Sequence, residues 1–249
     1  MIPIHDNPGP RRSVPWMTWG LILANVLVFF YELSLGDAVQ GFITVYGVVP
    51  AAISRGVPQT NLTPDPVYIT LFTSMFMHGG WMHLIGNMLF LFIFGDNVED
   101  RMGHIGYLIF YLLAGLVAGL TQVFVAPDSL VPSIGASGAI AGVLAAYLVL
   151  FPWSGVRTIV FIFIYFTIVT VPAVLLIGLW FLLQLFDGVA GLAHTQQGMG
   201  GVAYFAHIGG FVFGLLITML LKNRLQPPAP ITYPPFARHP NAQGPIRWY

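Results

Sequence analysis

The sequence predicts an all-α polytopic membrane protein: a bundle of six transmembrane helices with both termini in the cytoplasm. Only 7% of its 249 residues are charged and 57% are apolar, whereas soluble domains carry about 25% charged residues. The mean hydropathy is +0.80. The few charges are clustered, and the stretches between them each have room for the roughly 20 apolar residues that cross a bilayer. The solvent of this chain is therefore expected to be lipid.

Composition also excludes several classes of function. Nine basic residues balance nine acidic ones, so no basic excess favours binding to nucleic acid. The chain has no cysteine, which excludes disulfides, thiolate metal sites and a cysteine nucleophile.

The apolar stretches are expected to be helices, because backbone groups in lipid must be hydrogen-bonded within their own segment. In chain order, the six predicted spans are 16–34, 80–100, 104–125, 136–152, 157–185 and 201–222.

The distribution of basic residues predicts the orientation of these spans, since Lys and Arg concentrate on the cytoplasmic side. With a cytoplasmic N-terminus and six spans, Arg55 alone lies outside. The basic residues that then lie inside are Arg11, Arg12, Arg101, Arg157, Lys222, Arg224, Arg238 and Arg247.

The rest of the chain is predicted to form tails and one long loop. Residues 1–15 form a cytoplasmic tail, and residues 16–222 form the helical domain with an outer loop at 36–79. The part of this loop at 42–53 is apolar enough to pack on the bundle or to lie in the membrane interface. Residues 223–249 are rich in proline and are predicted to be a disordered tail. The N-terminal composition is not transit-like, which favours a bacterial plasma membrane.

Four polar residues fall at one depth of this topology. His83 and Asn87 lie near the outer end of the second span, Ser137 in the first turn of the fourth, and His207 near the outer end of the sixth. At 1.5 Å per residue, all four lie within roughly 10 Å of the outer surface. Polar groups inside spans are functional candidates, so these four predict one site.

Each of these residues has a functional and a structural interpretation. Ser137 begins a helix, where free N–H groups favour a developing anion, so it is a candidate nucleophile with its own amide in an oxyanion hole. On this local segment alone, an N-cap or a packing residue is the favoured interpretation. His207 is a candidate general base, or a buried histidine bonded to a backbone carbonyl. His83 and Asn87 share one helix face and could add oxyanion donors.

Two stripes of small residues are expected to bring the serine and the histidine together. Gly138 and Gly142 follow Ser137, while Ala206, Gly210 and Gly214 flank His207. Small residues at this spacing let two membrane helices approach closely.

A metal site is the rival interpretation of the histidines. His78, His83, His194 and His207 are possible ligands, but the sequence has no HExxH motif, and no intramembrane carboxylate is expected to complete a hydrolytic zinc site with them. The sequence therefore predicts no metal.

Taken together, these motifs resemble the rhomboid family of intramembrane serine proteases. The matching segments are Gly135-Ala-Ser137-Gly138, Ala206-His207-Ile-Gly-Gly210 with Gly214, His78 with His83 and Asn87, and Gly95 to Gly103 with Glu99. They occur in the family's order on the second, fourth and sixth spans, and the resemblance covers about residues 16–222.

The resemblance implies a Ser-His dyad, with Ser137 as nucleophile and His207 as general base. It places the Ser137 amide, His83 and Asn87 in the oxyanion hole, whereas His78 matches a position of less defined role. It implies transmembrane protein substrates in the lipid bilayer and no cofactor. The alternatives are a proteolytically inactive relative that binds transmembrane clients and a small transporter, although the apolar inner halves of the spans argue against a pore.

Further features of the family match less completely. The fifth span, with Pro172, resembles the lateral gate through which a substrate helix enters, and the uncharged loop at 188–200 is a candidate lid. The first outer loop lacks the Trp-Arg pair of many members. Ala141 stands where some members stack a tyrosine on the histidine, which predicts that His207 is held less tightly.

Overall fold

The computed structural model describes residues 1–9, 11–58, 60–162, 165–193 and 203–227 as a helical bundle with one small sheet. The helices are α1 (Trp16–Ser34), α2 (Val39–Tyr46), α3 (Pro50–Arg55), α4 (Thr70–Thr73), α5 (Trp81–Met102), α6 (His104–Val125), α7 (Ser137–Leu150), α8 (Ala173–Ala193) and α9 (Tyr204–Leu221). The strands are β1 (Ile2–Asn7), β2 (Gly155–Ile162) and β3 (Tyr165–Pro172).

Apolar helices occur at each of the six predicted spans, but not all of them have the length of a span. Within the described ranges, α1, α6, α8 and α9 are each long and apolar enough to cross a membrane. The helix α5 joins this group if it is counted with the bent segment Val67–Phe76 before it. The chain is therefore an integral membrane protein by length and composition, while the number six remains a prediction.

The helix α7 is short because it lies at the centre of the bundle. It has 14 residues, and all of them from Gly138 to Tyr147 are buried. Its neighbours in the core are α5, α6, α8 and α9. A helix surrounded by other helices does not have to match the thickness of the hydrocarbon on its own.

The prediction of an all-α chain is wrong between residues 155 and 172. The span predicted at 157–185 begins as the antiparallel hairpin β2–β3, and α8 starts only at Ala173. The hairpin is rich in Val, Ile and Thr, whose branched side chains favour strands over helices. Continuous hydrophobicity alone does not distinguish a span from a buried or lipid-facing hairpin.

The N-terminal segment is part of the fold rather than a free tail, which corrects the prediction for residues 1–15. The strand β1 pairs antiparallel with β2, so the sheet order is β1-β2-β3. The buried carboxylate of Asp6 accepts hydrogen bonds from Tyr147 Oη at 2.6 Å and Asn97 Nδ2 at 3.0 Å. Burial raises the pKa of the Asp6 carboxyl above its ordinary value, and the two donors offset part of that cost.

A buried carboxylate at the end of α5 holds the beginning of α1. Glu99 is fully buried and accepts hydrogen bonds from the backbone N–H groups of Met17 and Thr18 at 2.9 and 2.8 Å. These are free donors of the first helical turn, which favours a negative charge. Glu99 belongs to the segment from Gly95 to Gly103 that the sequence analysis singled out.

The described segments before α1 and after α9 lie at one end of the bundle. The end of α5 contacts the start of α1 through Glu99, and the backbone of Arg101 accepts a hydrogen bond from Gln226 N after α9. The candidate residues are instead near the starts of α5, α7 and α9, at the opposite end. This arrangement agrees with an even number of crossings; which end faces the cytoplasm remains a prediction.

Part of the outer loop packs on the bundle, one of the two arrangements predicted for residues 42–53. Val48, Val49, Ala52 and Ile53 are buried in a second apolar cluster with Val123 of α6. The candidate lid at 188–200 is partly wrong: its first residues continue α8, and 194–200 lie outside the described residues, as does His194. The predicted tail at 223–249 lies outside them from residue 228 onward.

Candidate active site

Ser137 is the first residue of α7, and a glycine turns the chain into that helix. Gly135 has φ of +126°, a conformation that side chains with a Cβ rarely adopt. A Cβ at Gly135 would also lie 2.7 Å from His83 Nε2 and 3.6 Å from Ser137 Oγ. Glycine therefore provides both the turn and the space in which these two side chains face one point.

His207 meets Ser137 across the junction of α7 and α9. The distance between Ser137 Oγ and His207 Nε2 is 2.7 Å, within hydrogen-bonding range. His207 is 7% exposed and lies one turn into α9. Two residues 70 positions apart in the sequence thus form a direct polar contact.

The two helices reach this distance because their backbones touch. A Cβ added at Gly210 would lie 2.0 Å from the carbonyl oxygen of Gly138, and one at Gly214 would lie 2.3 Å from that of Gly142. Ala206 approaches Gly138 as well. On their other side, Gly138 and Gly142 face alanines of α6. The small residues predicted to form stripes therefore lie at the α7–α9 interface.

Gly210→Ala is expected to separate α7 from α9 and to abolish the Ser137–His207 contact. The added methyl group would meet backbone rather than a movable side chain, so the helices must shift apart. Gly20→Ala in α1 is the matched control, because nothing lies within 4 Å of a Cβ there. Thermal unfolding in detergent should show a lower midpoint for Gly210→Ala only, and an equal midpoint in the two variants would contradict the close packing.

His83 and Asn87 line the same cavity from α5. The backbone N–H of Gly79 donates to His83 Nδ1 at 3.4 Å. A neutral imidazole that accepts at Nδ1 carries its hydrogen on Nε2, so the donor of His83 points toward Gly135. Asn87 is buried, and its Nδ2 lies 3.0 Å from His78 Nε2. An amide nitrogen has two hydrogens, so one remains available to the cavity.

The cavity that holds these groups has a volume of about 740 Å³. Its polar side chains include Ser137, His207, His83 and Asn87, and its apolar lining includes Trp180 from α8. Among the described residues, no group of three or more His, Cys, Asp or Glu side chains is arranged to hold a metal ion.

Comparison with known proteins gives the family of the chain. The Rhomboid domain family model matches residues 66–224, more than half of the sequence and the part that contains all four polar residues. The chain belongs to the rhomboid family.

Named relatives of this rhomboid include proteins of a plant, an insect and a yeast. Rhomboid-like protein 11, chloroplastic, of Arabidopsis thaliana is 32% identical over 88% of this chain and 69% of its own length. RHOMBOID-like protein 4 of the same plant is 31% identical over 86% of this chain and 54% of its own length. Inactive rhomboid protein 1 of Drosophila melanogaster is 28% identical over 78% of this chain but 12% of its own length.

Three residues near Ser137, His207 and Asn87 were not among the site residues predicted from the sequence. Gln184 Oε1 on α8 lies 2.6 Å from His207 Nδ1, and the Trp180 ring lies 6.0 Å from the imidazole between centroids. His78, left outside the core set, is 2% exposed and contacts Asn87. The available signal for Gln184 was a lone amide within an apolar stretch, which is a functional candidate in a membrane helix.

These contacts correct the prediction that His207 is loosely held. Ala141 is fully buried and offers no ring to the imidazole. The support comes instead from α8, through one hydrogen bond and one aromatic side chain.

Proposed function

We propose that this rhomboid is an intramembrane serine endopeptidase that hydrolyses peptide bonds in or near transmembrane segments of membrane proteins. The observation that carries the proposal is the 2.7 Å contact between Ser137 Oγ and His207 Nε2 inside a cavity of about 740 Å³. A nucleophile and its base must lie within hydrogen-bond reach. A serine that only caps a helix, or a histidine that only bonds to a backbone carbonyl, would not need the other side chain at this distance.

The proposed reaction uses Ser137 as nucleophile and His207 as general base. Ser137 Oγ attacks the carbonyl carbon of the scissile bond while His207 Nε2 takes the hydroxyl proton. The tetrahedral intermediate collapses, the C–N bond breaks, and His207 returns the proton to the leaving amine. Water, deprotonated by His207, then hydrolyses the acyl-enzyme and releases Ser137.

The developing oxyanion would be stabilised by the Ser137 amide, His83 Nε2–H and the free N–H of Asn87. The amide of Ser137 lies at the first position of α7, where backbone N–H groups have no intrahelical acceptor. The four polar residues together supply a nucleophile, a base and donors on one wall of the cavity.

Asn87→Ala is expected to lower kcat by about 10²–10³-fold with little change in KM, since it removes a donor that acts mainly in the transition state. Asn61→Ala in the exposed outer loop is the matched control and should leave kcat unchanged. Initial rates over a range of substrate concentrations would separate the two parameters. A rise in KM at constant kcat would contradict the oxyanion role.

The membrane arrangement is part of the proposal. Six spans with both termini in the cytoplasm place the dyad near the outer surface, and transmembrane substrates enter past α8. This helix has the smallest buried share of the four long apolar helices, 17% against 28–33%, so it has the fewest contacts to break. The names of the relatives refer to chloroplast and mitochondrion, so a bacterial plasma membrane remains a prediction without their support.

The test is cleavage of a fluorescent single-span substrate by purified protein in detergent. Cleavage by wild type that is lost in Ser137→Ala supports the proposal. Cleavage that survives Ser137→Ala would overturn the mechanism. Binding without cleavage of the substrate by wild type would favour the client-binding alternative. The Drosophila relative, named an inactive rhomboid protein, is the reason to test this alternative.

A further inference from the structure

A glutamine of α8 completes the surroundings of His207. Gln184 Oε1 lies 2.6 Å from His207 Nδ1, on the side of the ring opposite Ser137. From Ala173 to Phe186, Gln184 is the one amide side chain among apolar residues. An amide in hydrocarbon is costly unless its polar atoms are hydrogen-bonded. The contact with His207 on α9 provides such a partner for Gln184.

The two contacts of His207 together define which ring nitrogen carries the proton. Gln184 Oε1 is only an acceptor, so the hydrogen of the neutral imidazole lies on Nδ1 and is donated to it. The other nitrogen, Nε2, is then unprotonated and can accept the hydroxyl proton of Ser137. The opposite tautomer would place two acceptors against each other at Nδ1 and would leave no base for the serine.

No described carboxylate takes this role. The side-chain hydrogen bonds of His207 among the described residues go to Ser137 and Gln184. Asp187 lies on α8 one turn beyond Gln184, and its side chain is exposed. A glutamine provides the acceptor that orients the ring, without adding a charge inside the bundle.

The orientation of His207 also depends on where α8 lies. Trp180, Phe181 and Gln184 are the side chains through which α8 meets His207 and Phe211 of α9. On the other side of α8, large apolar residues such as Leu179, Leu183 and Phe186 are about half or more exposed. A displacement of this helix would therefore remove the acceptor from Nδ1.

We propose that Gln184 is a positioning residue that holds His207 in the tautomer able to accept the Ser137 proton, and that it does so only while α8 is packed against α9. The inference rests on the proposed function of the dyad. In this proposal α8 has two roles: it moves to let substrate enter, and it orients His207 when it is packed against α9. The dyad is therefore fully oriented after α8 has closed behind a bound segment.

The test compares Gln184→Leu, which keeps the size but removes the acceptor, with Gln184→Glu, which keeps an acceptor and adds a charge. Gln184→Leu is expected to lower kcat about tenfold to hundredfold with KM unchanged, by analogy with the loss when the hydrogen-bond partner of a metal-ligating histidine is removed. Gln184→Glu should retain most of kcat. Its pH–rate profile should show the acid limb at higher pH, because a carboxylate beside the ring favours the inactive imidazolium.

Other titratable groups do not explain such a shift. The titratable side chains near His207 on its neighbouring helices are His83 on α5, Asp187 on α8 and Tyr204 on α9, and all variants keep them. Leu183→Ala, at the exposed neighbour of Gln184, controls for general effects of substitutions in α8. Equal kcat in Gln184→Leu and wild type would overturn the inference. Equal losses in both Gln184 variants with lower unfolding midpoints and an unmoved acid limb would overturn it as well.

Labelling of Ser137 by a fluorophosphonate separates this inference from the proposed function, because the probe reacts with an activated serine without a protein substrate. Slower labelling in Gln184→Leu than in wild type is the expected result. Equal labelling rates in Gln184→Leu and wild type would overturn the proposed role of Gln184 but not the dyad mechanism. Absence of both labelling and cleavage in wild type would remove the dyad mechanism and this inference with it.

Discussion

Ser137→Ala and His207→Ala are each expected to lower the cleavage rate by about 10⁴–10⁶-fold, the range found when one member of a serine–histidine unit is removed. Ser137 Oγ and His207 Nε2 act as one unit at 2.7 Å, so the double variant should be no slower than either single one. Cleavage of a fluorescent single-span substrate over long incubation would measure these residual rates.

The controls for this prediction address fold and metal separately. Ser133→Ala lies four residues earlier in the same loop, where the backbone of Ser133 pairs with Val48, and should cleave at the wild-type rate. A chelator should have no effect on any variant. Additive losses in the double variant would contradict a dyad. Loss of activity with chelator would favour the metal-site interpretation of the histidines.

A disulfide between α8 and α9 is expected to stop the cleavage of transmembrane substrates reversibly. A Cβ at Gly188 would lie 3.3 Å from the Cβ of Tyr204, close to the separation of about 3.5–4.5 Å in disulfides. The chain has no cysteine, so Gly188→Cys with Tyr204→Cys would create the one possible pair. Oxidation should hold the outer end of α8 against α9, and reduction should restore cleavage.

The locked protein should still react with a fluorophosphonate, because a small probe reaches the cavity without passage of a helix and because the lock preserves the contact of Gln184 with His207. The single variants Gly188→Cys and Tyr204→Cys, treated with the same oxidant, control for the substitutions. Equal cleavage by the oxidised and reduced double variants would show that substrate does not enter by displacing α8.

The candidate site could be predicted because few polar residues occur in the spans. Counting charges and apolar stretches was enough to place Ser137, His83 and His207 near one level, since each helix advances by a constant rise per residue. The small-residue stripes then indicated which helices meet. The structure brings Ser137 and His207 within 2.7 Å through the contact of Gly210 with Gly138.

The sequence did not predict the start of the fifth span or the support of His207. The hairpin at 155–172 lies in a largely apolar stretch, where its Val, Ile and Thr residues favour strands, and β1 from the start of the sequence pairs with it. Gln184 appeared as one polar residue in a helix whose rotation was unknown. Whether its side chain faces lipid or His207 depends on how α8 packs.

The sequence by itself therefore determined that this protein lies in lipid and predicted which helices carry the candidate site and at which depth, because hydrophobic length and helical rise are local properties. The tertiary structure alone decided which side chains touch. The pairing of Ser137 with His207, the hydrogen bond from His207 to Gln184 and the place of β1 each depend on contacts between residues far apart in the chain. No local pattern specifies the rotation and separation of two packed elements.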